Sequence, residues 1–199
     1  AAIEKEALET YVPIIRKDTQ TFMKFLMQTL RPEQILEVGT AVGFSALLME
    51  AYDPADCQIT TIENYLPRIP IARANFVRAK KEACIHLIEG DAQEVLPTLT
   101  GSYDFIFMDA AKGQYLNFLE PVIEMLAEDG LLVTDNVLQD GDIIQSRYAI
   151  TKRDRTIHGR MREYLYFLTH SERFKTVVLP VGDGAALSQV VPGGISNND

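Results

Sequence analysis

Five short runs of apolar or β-branched residues alternate along the chain with stretches of helical periodicity. The runs occupy 34–39, 58–63, 84–89, 103–109 and 131–135. Near-continuous apolar runs of this length are typical of parallel strands that helices cover on both faces. Repeated strand–helix alternation needs right-handed crossovers, so the pattern predicts a doubly wound α/β sheet.

A helix is also expected before the first strand, over 18–30. Its N-cap would be Asp18 or Thr19, and Pro32 follows its expected end. Small polar residues at the start and a proline beyond the end are the usual boundaries of a helix.

The last part of the chain has a different pattern. The segment 161–170 predicts a helix, and two strand-like runs flank Gly182–Asp183–Gly184, which predicts an antiparallel hairpin. The expected fold class is therefore α/β, with a mostly parallel sheet and a C-terminal antiparallel hairpin. We expect one domain over 1–199, with 192–199 as a frayed tail.

Composition narrows the class of protein without deciding its function. With 199 residues, 47% of them hydrophobic, the chain can form one domain with a sizeable core. The apolar runs are strand-sized and no secretory signal pattern is present, so a cytoplasmic location is expected. Cys57 and Cys84 match no metal or redox spacing, and reduced structural thiols are the simpler interpretation.

Charge is unevenly distributed along the chain. The net charge of −9 by itself argues against nucleic acid as a partner. Between 147 and 162, however, six basic residues and one acid give +5, which leaves −14 for the rest. We call these six residues the basic stripe: Arg147, Lys152, Arg153, Arg155, Arg160 and Arg162. A confined phosphate contact and a solvated loop and helix face both fit this pattern.

The turn after the first strand is a candidate cofactor site. Gly39 and Gly43 have the spacing G-x-x-x-G, not the G-x-G-x-x-G of dinucleotide binders. A phosphate-free nucleoside cofactor such as S-adenosylmethionine therefore fits better than NAD, although a plain strand–helix turn would also need glycine. Glu63 ends the second run, where a carboxylate would accept hydrogen bonds from both ribose hydroxyls.

Asp91 follows the third run within Gly90–Asp91–Ala92. It is a candidate N-cap for the next helix, with Glu94 completing a capping box. A capping aspartate at this edge could also lie near the adenine amino group, and the two roles are compatible.

Acidic and amide side chains follow the last two runs. Asp109 ends the fourth run, and Asp135 and Asn136 end the fifth. Because the carboxyl ends of parallel strands form one ligand-binding edge, these side chains should meet there. Two carboxylates that approach each other need a cation, and an all-oxygen set suits Mg²⁺ or Ca²⁺.

Lys112 lies on the turn beyond Asp109 and has two possible roles. An ammonium beside a divalent cation should lose its proton more readily, which suits a general base for a hydroxyl proton. A simple charge partner for the carboxylates is the equally open alternative.

Several of these segments together resemble a known family. EVGTAVGFSAL, TIE, GDA, DAAKGQY and DNVL are similar to motifs of the cation-dependent O-methyltransferases, which include the catechol and caffeoyl-CoA O-methyltransferases. The resemblance covers about 12–188. Within the family, 109–115, 135–138 and 181–184 are most similar to the bacterial tRNA 5-hydroxyuridine methyltransferases.

The resemblance implies a Rossmann-like methyltransferase fold, a homodimer and roles for individual residues. Mg²⁺ would be held by Asp109, Asp135 and Asn136, and Asp109 and Lys112 would take part in catalysis. S-adenosylmethionine would be surrounded by Ile15, Gly39, Ser45, Glu63, Asp91, Ala92 and Asp109. Ile15 stands where the family usually has Met.

The expected activity is Mg²⁺-dependent methyl transfer from S-adenosylmethionine to the 5-hydroxyuridine of a tRNA anticodon loop. That base presents two neighbouring oxygens, as a catechol does, and the basic stripe could contact the RNA backbone. A small catechol-type or caffeoyl-CoA-like acceptor is the alternative within the same chemistry. A non-catalytic nucleoside-binding protein and an NAD(P)-dependent oxidoreductase are the rival classes, and the missing G-x-G-x-x-G disfavours the latter.

Overall fold

The computed structural model describes residues 2–146 and 148–191. The chain divides into two compact units, Ala1–Leu99 and Thr100–Asp199, and each is described by itself. The expected frayed tail, 192–199, and Arg147 of the basic stripe lie outside the described residues.

The first unit contains a parallel sheet in which β2 pairs with both β1 and β3. Its elements are α1 (Ala2–Glu9), α2 (Lys17–Leu30), β1 (Gln34–Val38), α3 (Phe44–Tyr52), β2 (Gln58–Glu63), α4 (Ile69–Ala79), β3 (Ile85–Glu89), α5 (Ala92–Val95) and a 3₁₀ turn (Leu96–Thr98). The three strands predicted here are confirmed to within one residue at each end. Helix α1 was not predicted from the pattern.

The second unit combines a parallel and an antiparallel part. β4 pairs with β5 in parallel, whereas β7 is antiparallel to both β5 and β6. Its elements are β4 (Tyr103–Met108), a 3₁₀ turn (Lys112–Gln114), α6 (Tyr115–Met125), β5 (Leu126–Thr134), a 3₁₀ segment (Gln139–Ile144), α7 (Arg155–His170), β6 (Phe174–Leu179) and β7 (Ala185–Val190). The predicted C-terminal hairpin is confirmed.

Burial explains why the strand pattern was readable. In β1 the four residues after Gln34 are all buried, and in β4 Phe105–Met108 have no solvent exposure. Strands buried along their whole length need apolar residues on both faces. The predicted fold class, a mostly parallel doubly wound α/β sheet with a C-terminal antiparallel hairpin, is confirmed. Among the described helices, none is long and apolar enough to cross a membrane.

Three predicted boundaries were wrong, and one of them is the start of β5, which begins at Leu126, five residues before the predicted 131. Helix α2 begins at Lys17 with Arg16 as N-cap and no side-chain cap, so neither Asp18 nor Thr19 caps it. Asp18 instead lies in the first turn, where a carboxylate still interacts favourably with the positive end of the helix dipole. Helix α7 begins at Arg155, six residues before the predicted start, because its exposed charged residues obscure the apolar spacing.

Candidate functional site

The turn after β1 needs glycine at Gly43. This residue has φ +79, and a Cβ added there would lie 2.7 Å from Cζ of the Phe76 ring. The amides of Gly39 and Thr40 donate to the carbonyl of Ile62 at 3.1 and 3.2 Å. The turn is therefore fixed against the end of β2, and the positive φ and the nearby Phe76 ring are the reasons for glycine at Gly43.

Glu63, the predicted ribose ligand, is a buried residue that is 9% exposed. Oε2 accepts from the amide of Ala41 at 2.7 Å, and Oε1 accepts from Asn64 at 3.0 Å and Tyr65 at 2.8 Å. A carboxylate offers about four lone-pair directions, so these three bonds leave about one for a ligand. Glu63 thus secures the turn after β1, and its contact with ribose stays a prediction.

Ser45 belongs to a buried hydrogen-bond network below the same turn. Its hydroxyl donates to one carboxylate oxygen of Glu37, and the hydroxyl of Thr61 donates to the other at 2.5 Å. The hydroxyls of Thr61 and Thr40 are 2.6 Å apart. Glu37 has no solvent exposure and was missed as a candidate, although an acid inside an apolar run was the available signal.

Asp91 is confirmed as a helix cap. Its Oδ1 accepts from the amide of Gln93 at 2.9 Å at the start of α5. The amide group of Asn64, next to Glu63, lies 3.4 Å from Oδ2 of Asp91. The structure therefore brings the Asp91 and Glu63 segments together, as a single nucleoside site would require.

Two further predicted cofactor residues are buried. Ala92 opens α5, and Ile15 lies in the segment before α2. The carbonyl of Ile15 accepts from Nε2 of Gln20 at 3.0 Å, so its backbone position is set by α2. Contact of either residue with a cofactor stays a prediction.

Asp109 and Asp135 lie side by side in the second unit. Met108 is in register with Thr134, and the Asp135 amide donates to the Met108 carbonyl at 3.0 Å, which extends the pairing by one residue. Burial, and then the Asp135 carboxylate, raise the pKa of Asp109 to about 7, while Lys112 acts in the opposite direction. Two adjacent carboxylates favour a divalent cation between them.

Asn136 completes the predicted donor set. Its backbone is left-handed at φ +58, and its amide donates to Oδ1 of Asp135 at 2.8 Å. No group of three or more His, Cys, Asp or Glu that could hold a metal occurs within 2–146 and 148–191. Two carboxylates and a neutral amide oxygen are a set that would fit Mg²⁺ or Ca²⁺, and metal binding by these residues stays a prediction.

Two tyrosines that the sequence reasoning missed support the Asp135 segment. The hydroxyl of Tyr115 donates to the Asp135 carbonyl at 3.2 Å, and the hydroxyls of Tyr164 and Thr134 are 2.6 Å apart. The two tyrosine rings pack with centroids 5.5 Å apart. Burial, and then the charge of Asp109, raise the pKa of Tyr115 well above its usual value, so this phenol stays protonated.

Lys112 has a defined partner. Its Nζ lies 3.3 Å from Oδ2 of Asp183, in the turn of the hairpin between β6 and β7. The other oxygen of Asp183 accepts from the amide of Asp140. The ion pair of Lys112 is therefore with Asp183, and both of its predicted roles, as a base and as a charge partner of Asp109 and Asp135, stay predictions.

Three arginines of the basic stripe bind backbone carbonyls. Arg155 donates to Ile150 at 3.1 Å, Arg160 to Gly113 at 2.9 Å and Arg162 to Ile143 at 3.1 Å. These side chains brace neighbouring loops. Two other members of the stripe, Lys152 and Arg153, are exposed and better placed for a ligand in solution.

The sequence matches the model of a protein family described as O-methyltransferase over residues 3–191. It is 31% identical to caffeoyl-CoA O-methyltransferase 1 of Eucalyptus globulus over 180 residues, which cover 85% of this chain and 72% of that protein.

Solved structures of methyltransferases are also similar to this chain. A Staphylococcus aureus protein assigned to the caffeoyl-CoA O-methyltransferases superimposes with a TM-score of 0.89 at 30% identity, covering 96% of this chain and 91% of that one. The Podospora anserina methyltransferase PaMTH1, solved with S-adenosylhomocysteine bound, gives 0.79 at 26% identity, covering 87% and 78%.

Proposed function

The chain belongs to the O-methyltransferase family and uses S-adenosylmethionine, and from that premise we propose that it methylates one of two neighbouring oxygens on a small aromatic acceptor with the help of a divalent cation. The observation that carries the proposal is the pairing of Asp109 with Asp135 at the ends of adjacent parallel strands. Two such carboxylates need a cation, and vicinal oxygens are a bidentate partner for one.

Asp109, Asp135 and Asn136 would hold that cation. A bound Mg²⁺ would supply Lewis acidity and a template for the two acceptor oxygens. Asp135 is 1% exposed and its backbone is fixed by Met108 and Tyr115, so its carboxylate is held in place before any ligand arrives. Such preorganisation removes the cost of ordering the ligands during the reaction.

The chemical change is the replacement of an O–H bond by an O–CH₃ bond. S-adenosylmethionine supplies the methyl group and is left as S-adenosylhomocysteine, and the hydroxyl proton is released. In this proposal Lys112 interacts with the hydroxyl that is methylated. Its ammonium group lies near Asp109, a proposed cation ligand, and lowers the pKa of that carboxyl group. Held as an ammonium ion by Asp183, it would stabilise the anionic oxygen; as a base, it would first have to lose its own proton.

The cofactor would be held by residues of the first unit. In this proposal Glu63 offers its remaining lone pair to ribose, and Asp91 contacts the adenine amino group. Backbone approach at Gly39, the Ser45 hydroxyl and the apolar side chains of Ile15 and Ala92 complete the set. The Asn64–Asp91 contact supports this grouping, because it brings the β2 and β3 ends together.

A caffeoyl-CoA-like molecule fits the acceptor role well. The Eucalyptus globulus relative is named for that substrate, which has a catechol at one end and phosphates at the other. The exposed Lys152 and Arg153 supply positive charge on a chain whose net charge is −9. Phosphate contacts there would favour the CoA thioester over the free acid.

The tRNA 5-hydroxyuridine acceptor remains the second candidate. The basic stripe favours it, since RNA recognition combines an unpaired base with backbone contacts from basic residues. Against it, Arg155, Arg160 and Arg162 already bind backbone carbonyls, so fewer of their N–H groups are available to phosphates.

The test is incubation of the protein with methyl-labelled S-adenosylmethionine, Mg²⁺ and three acceptors in parallel: caffeoyl-CoA, free catechol and tRNA that contains 5-hydroxyuridine. We expect labelled methyl ether on caffeoyl-CoA, less on catechol, and no transfer in excess EDTA. Transfer to tRNA alone would select the second candidate. Undiminished transfer in EDTA, or none to any vicinal-oxygen acceptor, would refute the proposal.

A further inference from the structure

We propose that Asp183 is a positioning residue that keeps the Lys112 ammonium group away from the cation ligands while joining the segment after Asp109 to the segment after Asp135. This inference rests on the proposed function, because it assigns a cation to those ligands. It adds a residue from the hairpin turn, which sequence reasoning placed in no site.

The contacts of Asp183 connect three parts of the second unit. The residue is 5% exposed, and both of its carboxylate oxygens are used. One lies 3.3 Å from Nζ of Lys112, three residues after Asp109. The other accepts from the amide of Asp140, in the 3₁₀ segment that follows the Asp135–Asn136 pair. A buried carboxylate is stable only when such partners are present.

The backbone around Asp183 is clamped to the same segment. The amide of Leu138 donates to the Asp183 carbonyl at 2.9 Å, and the amide of Val137 donates to Gly184 at 3.0 Å. Gly184 has φ +84, and a Cβ there would lie 2.7 Å from Cβ of Leu138. The hairpin turn is therefore in direct contact with the residues that follow the predicted cation ligands.

The clamped segment has an unusual backbone. Asn136, Gln139 and Asp140 all have left-handed φ values, of 58, 51 and 53. For residues with a side chain this conformation costs about 1 kcal/mol each or more, so it persists only where surrounding contacts enforce it. The bond from the Asp140 amide to Asp183 is one of these contacts.

Lys112 and a divalent cation would compete for the same carboxylates. Lys112 opens the 3₁₀ turn three residues after Asp109 and forms the ion pair with Asp183. An ammonium released from Asp183 would be drawn to the Asp109–Asp135 carboxylates, because two adjacent negative charges attract the nearest cation. It would then compete with a divalent ion for the same carboxylate oxygens. Asp183 prevents this by giving Lys112 a carboxylate of its own.

The test uses Mn²⁺ as the probe, since its binding can be followed by electron paramagnetic resonance without any turnover. Asp183→Asn keeps an oxygen that can accept from Asp140 but removes the charge that holds Lys112. We expect Mn²⁺ to bind about 10-fold more weakly to this variant, as one additional charge contact at a partly buried site would produce. Adding Lys112→Gln to it removes the competing ammonium, and Mn²⁺ affinity should return to within about 2-fold of the original protein.

Glu120→Gln is the matched control, because it neutralises an acid in an exposed ion pair of the same unit, 3.0 Å from Arg173. It should leave Mn²⁺ affinity unchanged. The proposal is overturned if Asp183→Asn binds Mn²⁺ as tightly as this control, or if the double variant binds as weakly as the single one. A residue that only stabilised the fold would not be rescued by Lys112→Gln.

If Asp183→Asn fails to fold, Lys112→Gln alone decides the matter: Mn²⁺ binding equal to or tighter than in the original protein supports the proposal, and weaker binding overturns it. The Mn²⁺ series is also independent of the acceptor. Absence of methyl transfer in the original protein would refute the proposed function, whereas the order of Mn²⁺ affinities would still test Asp183.

Discussion

Asp109 lies opposite Asp135 across the parallel pair of β4 and β5, one residue beyond the register of Met108 with Thr134. Burial, and then the proximity of the Asp135 carboxylate, raise the pKa of Asp109 to about 7. Two adjacent carboxylates repel each other without a cation and are stabilised by one. Substitutions of Asp109 and Asp135 therefore test the proposed cation site directly.

Asp135→Asn should abolish most methyl transfer while the cofactor still binds. The substitution keeps the size of the side chain but removes one negative charge from the proposed cation site. We expect turnover to fall at least about 100-fold, since a catalytic cation contributes several kcal/mol. S-adenosylhomocysteine affinity, measured by calorimetry, should change by less than about 2-fold. Glu120→Gln is the control, and full activity of Asp135→Asn would contradict the assignment.

The stability of the cation-free protein should depend on pH. The pKa of Asp109 is raised in the folded state, so the folded protein holds this proton more tightly than the unfolded chain does. Its contribution to stability is therefore present at low pH and is lost as the pH rises towards about 7. In EDTA, the unfolding temperature of Asp109→Asn should fall less between pH 5 and pH 7.5 than that of the original protein. Identical pH profiles for the two proteins would contradict the prediction.

Glu63→Gln should weaken cofactor binding. An amide at this position can accept from Ala41 or from Asn64 and Tyr65, but its NH₂ group would then face an N–H donor. The loss of one buried hydrogen bond costs about 1–3 kcal/mol. If this whole cost reduces cofactor binding, the affinity falls about 5- to 150-fold. Glu89→Gln, at the end of β3 in an exposed pair with Arg73, is the matched control. Equal cofactor affinity in the two variants would show that Glu63 is not involved.

Gly43→Ala should destabilise the turn after β1 through overlap with Phe76. Gly141 provides the control, because its φ of +91 is similar to the +79 of Gly43 but a Cβ there meets nothing within 4 Å. We expect Gly141→Ala to cost about 1 kcal/mol for the backbone alone, and Gly43→Ala to cost about 1–3 kcal/mol more for overpacking. Urea unfolding of the two variants measures the difference, and equal values would exclude the steric effect.

Replacing both Lys152 and Arg153 by Gln should affect an acceptor with phosphates and spare one without. We expect the KM for caffeoyl-CoA to rise about 5- to 10-fold and to become less sensitive to salt, because phosphate contacts are screened by ions. The KM for catechol should stay the same. These two residues are cleaner targets than Arg155, whose Nε donates to the carbonyl of Ile150. Equal loss on both acceptors would argue against a phosphate contact.

The strands, apart from the first five residues of β5, and the acidic residues at their ends could be predicted from the sequence. Strands buried on both faces must be apolar along their length, and that requirement is visible in the residues 103–109 and 131–135 themselves. Once the strands are parallel, their carboxyl ends lie at one edge, so the adjacency of Asp109 and Asp135 follows. The cap at Asp91 was predictable for the same reason, since it depends on residues next to it in the chain.

Contacts between distant segments could not be predicted. The tertiary structure alone decided that Asp183 pairs with Lys112, that Ser45 donates to Glu37, and that Arg160 and Arg162 brace loops instead of pointing only to solvent. Asp183 and Lys112 are separated by 71 positions, and nothing in the local pattern links them. A local pattern reports which residues must be buried, whereas the partner of a buried polar group depends on how the elements pack.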